Sequence, residues 1–85
     1  MNIENAEASN IIREMIYEMF LGGDKSVPID SDTQLIESGI CDSMSLVGLA
    51  AELESRFSGI SIQDQDITHE NFASIETILS FLRNQ

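Results

Sequence analysis

The stretch Asp42-Ser43-Met44-Ser45-Leu46-Val47-Gly48-Leu49-Ala50-Ala51-Glu52-Leu53-Glu54-Ser55-Arg56-Phe57 places apolar residues at Leu46, Leu49, Ala50, Leu53 and Phe57. That recurrence, near 3.6 residues, predicts an amphipathic helix. Asp42 stands where a side-chain acceptor caps a helix start, and Ser58 and Gly59 supply a stop. Met44, Val47 and Ala51 form a second apolar flank beside the main stripe. A helix with such surplus apolar surface either is unusually buried or touches a partner. Gly48 costs roughly 1 kcal/mol relative to alanine in a helix interior. It is either a tolerated small residue or a place where a partner helix or another group packs beside Met44 and Val47.

On the N-terminal side, Ile12, Met15, Ile16, Met19 and Phe20 recur at i, i+3, i+4, i+7 and i+8. They predict a first helix from Asn5 or Ala6 to Phe20 or Leu21, ended by Gly22 and Gly23. From Gly22 to Cys41 no periodicity is sustained, so a long loop is expected, pinned to the core by Val27, Ile29, Leu35, Ile36 and Ile40. Within it Asp32 is expected to cap a short turn from Thr33 to Glu37 that Gly39 ends.

On the C-terminal side, Ile60 and Ile62 alternate too briefly to specify a strand. Thr68 is expected to cap one short turn ending near Phe72, and Ser74 a last helix bearing Ile75, Ile78, Leu79 and Leu82. The sum is an all-α bundle of three longer helices and a short fourth, with a long loop between helices 1 and 2.

With 85 residues and neither repeats nor a Gly/Ser- or Pro-rich linker, the chain is expected to form one domain over residues 1–85. A chain of this length buries roughly 60 to 65% of its unfolded surface, enough for one thin core and hardly for a deep catalytic cavity. Fifteen Asp and Glu against four Lys and Arg give a formal net charge of -11. With Arg13, Lys25, Arg56 and Arg83 scattered along the chain, binding to nucleic acid is not expected. The acidity serves either as a solvated surface or to steer the protein toward basic patches on partner enzymes. Met1 to Ser9 carries no basic and apolar leader pattern, no apolar run approaches the roughly 20 residues of a membrane span, and Cys41 has no cysteine to pair with. A cytoplasmic location is expected.

The run Asp32-Thr-Gln-Leu35-Ile36-Glu-Ser-Gly39-Ile40-Cys41-Asp42-Ser43-Met44, followed by Val47, Leu49, Leu53 and Phe57, resembles the attachment motif of acyl and peptidyl carrier proteins. There a loop ending in Gly and an apolar residue leads into Asp-Ser-Leu or Asp-Ser-Met at the start of the second helix. Phe57-Ser-Gly-Ile60-Ser-Ile62, Asp66-Ile67-Thr68 and Glu70-Asn71-Phe72-Ala-Ser74-Ile75 look like the family's later elements. The resemblance implies an acyl-carrier-like four-helix bundle and a 4′-phosphopantetheine arm attached covalently to Ser43. It implies a carrier with no catalytic residues and no metal, which holds acyl or aminoacyl intermediates as thioesters. The partners implied are a phosphopantetheinyl transferase, a loading enzyme and a downstream synthase or transferase, with Asp42, Met44, Val47, Ala51, Glu54 and Ile62 as the partner-binding residues. A monomer is the family's habit.

Physical chemistry supports the same reading at Ser43. In the first turn of the second helix, unpaired N–H groups and the positive end of the helix dipole favour a phosphodiester. The modifying enzyme brings coenzyme A and the metal, so Ser43 needs no base within this chain. Fatty-acid synthesis carriers typically bear acids soon after the serine, whereas this chain has Ser45 and Gly48 there, keeping Asp42 and Glu54. A dedicated carrier of polyketide, nonribosomal peptide or D-alanyl transfer is therefore expected ahead of a housekeeping fatty-acid carrier.

Other readings compete. Asp42-Ser43 could be a plain helix cap in an acidic helical interaction module with no prosthetic group. A serine hydrolase is set aside because His69 is the only histidine and the sequence is not Gly-x-Ser-x-Gly. His69 reads as a polar turn residue. Cys41 is either a small apolar residue closing the loop or a thiol activated by the helix start. The run Asp30-Ser-Asp32-Thr-Gln34 fails as a calcium loop, with Leu35 where the loop needs glycine and Cys41 where it needs glutamate.

Overall fold

Each of the three apolar stripes forms a helix in the computed structural model, which describes residues 5–84. The elements are α1 (Asn5–Phe20), α2 (Ser45–Arg56), a 3-10 turn at Asp64–Asp66 and α3 (Ile75–Arg83). Residues 1–4 of the N-terminal stretch read for a leader, and residue 85, lie outside the described residues.

The core is where the stripes meet. Ile12, Met15 and Ile16 from α1 bury against Leu46, Leu49 and Leu53 from α2 and Ile75, Ile78 and Leu82 from α3. Burying one such side chain fully contributes roughly 1.5 to 3 kcal/mol, so the three faces together supply most of the drive to fold. α1 packs on both other helices and is the keystone of the bundle. Phe72, fully buried, adds a tilted ring contact with Phe81 at 6.1 Å between centroids. The radius of gyration, 11.8 Å, is close to the roughly 12 Å expected of a compact chain this long.

Each helix stops or starts as its local chemistry dictates. Gly22 and Gly23 take left-handed φ values of 60° and 83°, and the Gly23 N–H turns back to the Tyr17 carbonyl at 2.8 Å. Ser74 and Thr77 form a reciprocal capping box at the start of α3: the Ser74 N–H donates to Thr77 Oγ1 at 2.9 Å and the Thr77 N–H to Ser74 Oγ at 3.2 Å. The turn expected after Thr68 forms as a single turn, in which Thr68 Oγ1 accepts the Asn71 N–H and the Phe72 N–H donates to the Thr68 carbonyl, both at 3.1 Å. A 3-10 turn just upstream, at Asp64–Asp66, is a feature the sequence reading missed; it is capped by Gln63 and Asp66.

The loop between α1 and α2 is ordered by three sets of bonds. Arg13 Nε and the Tyr17 hydroxyl donate to the carbonyls of Ile29 and Val27, at 2.9 and 2.6 Å, tying the loop to α1. The Leu35 N–H donates to Ala73 and the Glu76 N–H to Ser31, tying it to the start of α3. The Cys41 N–H donates back to Leu35 at 2.9 Å and closes the turn that Gly39 ends with φ 86°. One expected detail differs: no capping bond from Asp32 is present among the described residues, because the Leu35 N–H that it would take donates to the Ala73 carbonyl at 2.8 Å, while Thr33 Oγ1 accepts the Asp30 N–H at 2.8 Å in the turn just before. The Thr33 hydroxyl is short enough to reach back three residues, and it satisfies the donor there.

Candidate functional site

The site is built where the pinned loop runs into α2. Cys41, 3% exposed, is the last residue anchored in the core. Burial, followed by the neighbouring Asp42 carboxylate, pushes its thiol up to about 11, so it is a protonated, inert thiol at neutral pH. The apolar reading of Cys41 holds and the activated-thiol reading does not. Asp42 and Ser43, the next two residues, are exposed.

The regular ladder of α2 begins at Ser45, two residues later than a start at Ser43. The cap lies where the sequence put it: Asp42 Oδ1 accepts from the Ser45 N–H and from the Ser45 hydroxyl, each at 2.8 Å. The same N–H is 3.1 Å from the Asp42 carbonyl, a tight 3-10-type first turn ahead of the α-helix. Ser43 and Met44 form the span of that turn. The hydroxyl and then the N–H of Ser45, followed by the Met44 N–H, hold the Asp42 carboxyl below the usual carboxylate range, so it is ionised beside Ser43. Ser45 is a site residue that the sequence reading missed. Its signal was there, as an Asp-x-x-Ser spacing that matches a cap to its third helical position.

The other expected partner-binding residues fall into two groups. Met44, Val47 and Ala51 project from the exposed side of α2, with Met44 86% and Val47 61% exposed. Their surplus apolar surface is therefore not a sign of burial. Glu54 and Ile62 are joined to each other instead: Glu54 Oε2 accepts the Ile62 N–H at 2.8 Å, and the half-buried Ile62 packs against the core. The Glu54 carboxylate thus fastens the segment after α2 to the helix. Gly48 is not crowded, since the nearest atom to a Cβ built there would be Met19 Cε at 3.9 Å, ordinary contact. His69 lines a separate cleft of about 210 Å³ with Glu37, Glu70 and Ile36.

An exposed serine at the mouth of a capped helix, with an ionised aspartate before it and an exposed apolar flank after it, can accept a phosphodiester and present a flexible arm. A model of the phosphopantetheine attachment site matches residues 21–81. The chain belongs to the phosphopantetheine attachment site family. It is a carrier that bears a 4′-phosphopantetheine arm bound covalently to a serine, a non-catalytic shuttle that is modified by phosphopantetheinyl transferases and serves partner enzymes. The reading as an interaction module without a prosthetic group is set aside on that match. No curated protein matches the carrier. The residues around α2 fit the arm: the solvent-facing turn leaves room for a phosphodiester, and the thiol at the arm's end performs the thioester chemistry when the group is bound. No helix among the described residues is long and apolar enough to cross a membrane.

Proposed function

We propose that Ser43 is the serine that carries the arm, and that residues 1–85 work as a single carrier domain in a dedicated biosynthetic pathway. The observation that carries the assignment is the place of Ser43 among the serines of the matched segment. The hydroxyls of Ser26, Ser38, Ser45 and Ser74 are each engaged, with Asp24, the Leu35 carbonyl, Asp42 and the Thr77 N–H respectively. Ser31, Ser43, Ser55, Ser58 and Ser80 are exposed with no side-chain bond to the hydroxyl among the described residues, and of these Ser43 alone stands at the start of a helix, in the turn that Asp42 caps. It also follows Asp42 at the head of α2, where a phosphodiester gains from the helix dipole.

The pathway reading rests on the surface beside Ser43. Ser45 and Gly48 replace the acids that fatty-acid carriers present after the serine, and the Ser45 hydroxyl is spent on Asp42. The flank is correspondingly apolar, through Met44, Val47 and Ala51. Electrostatic contacts govern association rate and partner choice more than affinity, so a carrier with fewer of them suits fewer enzymes. The carrier therefore serves a loading enzyme and a downstream synthase or transferase of polyketide, nonribosomal peptide or D-alanyl type, in the cytoplasm and as a monomer. Cargo recovered from the native cell on the intact protein tests this. Mass spectrometry should find one aminoacyl or short acyl group, with the fragment bearing it mapping to Ser43. A ladder of fatty-acyl chain lengths would make it a housekeeping fatty-acid carrier.

A further inference from the structure

The loop between α1 and α2 and the turn after Thr68 form the two walls of the cleft of about 210 Å³ that His69 lines. Ile36 and Ala73 supply its apolar surface, and Gln34, Glu37, His69 and Glu70 its polar surface. The walls are fixed to each other by the Leu35 N–H, which donates to the Ala73 carbonyl at 2.8 Å. The cleft is therefore preformed. Pockets for drug-sized ligands start at about 300 Å³, so this one suits a smaller group.

Its polar groups are acceptors without donors. Gln34 Nε2 donates to the Asp32 carbonyl at 3.3 Å, which leaves the side-chain oxygen of Gln34 as the free end. The side chains of Glu37, His69 and Glu70 have no hydrogen bond or ion pair among the described residues, and no Lys or Arg among them lines the cleft. Glu14, Glu18, Glu52 and Glu54, by contrast, each already serve a cation or a backbone N–H. On a chain of formal charge -11, two unspent carboxylates at one small cleft attract a cation and repel an anion. A metal ion does not fit, because no three His, Cys, Asp or Glu among the described residues are grouped to hold one. A small organic ammonium does. It brings three N–H donors for the carboxylates and the amide oxygen, and its aliphatic part packs on Ile36 and Ala73.

Ser43 is within reach. The Leu35 carbonyl holds the Cys41 N–H at 2.9 Å, Ile36 follows Leu35, and Ser43 is two residues past Cys41. Chain geometry thus keeps the Cα atoms of Ile36 and Ser43 within about 17 Å of each other, a span that the extended phosphopantetheine arm covers. We infer that the cleft binds the α-ammonium group of a small aminoacyl cargo held on the arm, with Glu37 and Glu70 as its anchors. Exposed ion pairs are individually weak, but tethering holds the ammonium at a roughly millimolar effective concentration, where a weak site fills. A plain acyl cargo leaves the acceptors to water, so the cleft favours aminoacyl over acyl thioesters. The inference rests on the carrier assignment at Ser43 and narrows its cargo to the aminoacyl class.

His69 is the only histidine, so its ring ¹H signals report on the cleft without ambiguity. In the test, a phosphopantetheinyl transferase loads the full chain from amide-linked alanyl- or propionyl-coenzyme A, two arms that differ only in the ammonium group, and peptide mapping locates the arm. The alanyl arm should shift the His69 ring signals relative to the propionyl arm. The double variant Glu37→Gln, Glu70→Gln, altered only at exposed side chains, should lose that difference with its far-UV spectrum unchanged. Alanine methyl ester supplies the same ammonium without the arm: at roughly millimolar concentrations it should move the ring signals of the unmodified chain, and methyl propionate should not. That comparison stands even if the map puts the arm on another serine, so the cleft and the Ser43 assignment fail separately. Equal His69 shifts from the two arms, a difference that survives in the double variant, or equal responses of the unmodified chain to the two esters would overturn the proposal.

Discussion

The Asp42 carboxylate accepts both the N–H and the hydroxyl of Ser45, and the two residues thereby bracket Ser43 at the head of α2. These bonds lower the carboxyl pKa of Asp42. A group whose folded pKa is depressed stabilises the fold above its unfolded value, here near 3.8, and loses that contribution as pH falls through the lower folded value. Asp42→Ala should therefore lower the urea midpoint at pH 7, and the gap from the parent should close at pH values well below 3.8. Ser45→Ala should lower it by less, because the backbone N–H remains as a donor. Urea titrations of the three proteins at pH 7 and pH 2.5 measure this.

Gly48 lies in the interior of α2 with room for a methyl group. Gly48→Ala should raise stability by about 1 kcal/mol, by reducing the backbone freedom lost on folding. Equilibrium urea unfolding reads this directly. A loss of stability would mean that Met19 Cε is held more tightly against Gly48 than 3.9 Å implies.

The buried Cys41 thiol gives a pH dependence of the opposite sense to that of Asp42. Its pKa of about 11 lies above the ordinary 9.0 of an unfolded chain. Between these values the unfolded state ionises first and binds fewer protons, so stability falls as pH rises, by up to about 1.4 kcal/mol per pH unit. Cys41→Ala should flatten that slope between pH 9 and 11 in thermal melts. A disulfide reagent at pH 8 should label the native protein slowly and the unfolded protein at once.

Ser74 is buried at the start of α3 and its hydroxyl satisfies the Thr77 N–H. Ser74→Ala should cost about 1 kcal/mol, with most of it regained in Ser74→Thr, which keeps the hydroxyl. Chemical unfolding of both variants at pH 7 checks the difference.

The helices were legible in the sequence because their signals are local and repeated. The stripes Ile12–Phe20, Leu46–Phe57 and Ile75–Leu82 each have a 3.6-residue period, and Gly22, Gly59 and Ser74 punctuate them. The capped start of α2 was legible for the same reason, since Asp42 and the Ser45 N–H that it accepts lie three residues apart. What stayed hidden depends on contacts between distant segments. Nothing in the spacing of Glu54 indicates that its carboxylate holds the Ile62 N–H, eight residues on. Met19 read as one more core residue of α1, and only the crossing of α1 with α2 leaves it at the surface beside Gly48. The Asp32 cap was misplaced because the Leu35 N–H that it would take is drawn to the carbonyl of Ala73, a segment far along the chain.

The assignment of the arm to Ser43 is tested most directly by intact-mass measurement of the wild type and Ser43→Ala after incubation with coenzyme A, Mg²⁺ and a broad-specificity phosphopantetheinyl transferase. The wild type should gain the mass of one 4′-phosphopantetheinyl group and Ser43→Ala none. Modification of the Ser43→Ala protein, or a folded wild type that stays unmodified while a control carrier is modified, would contradict it.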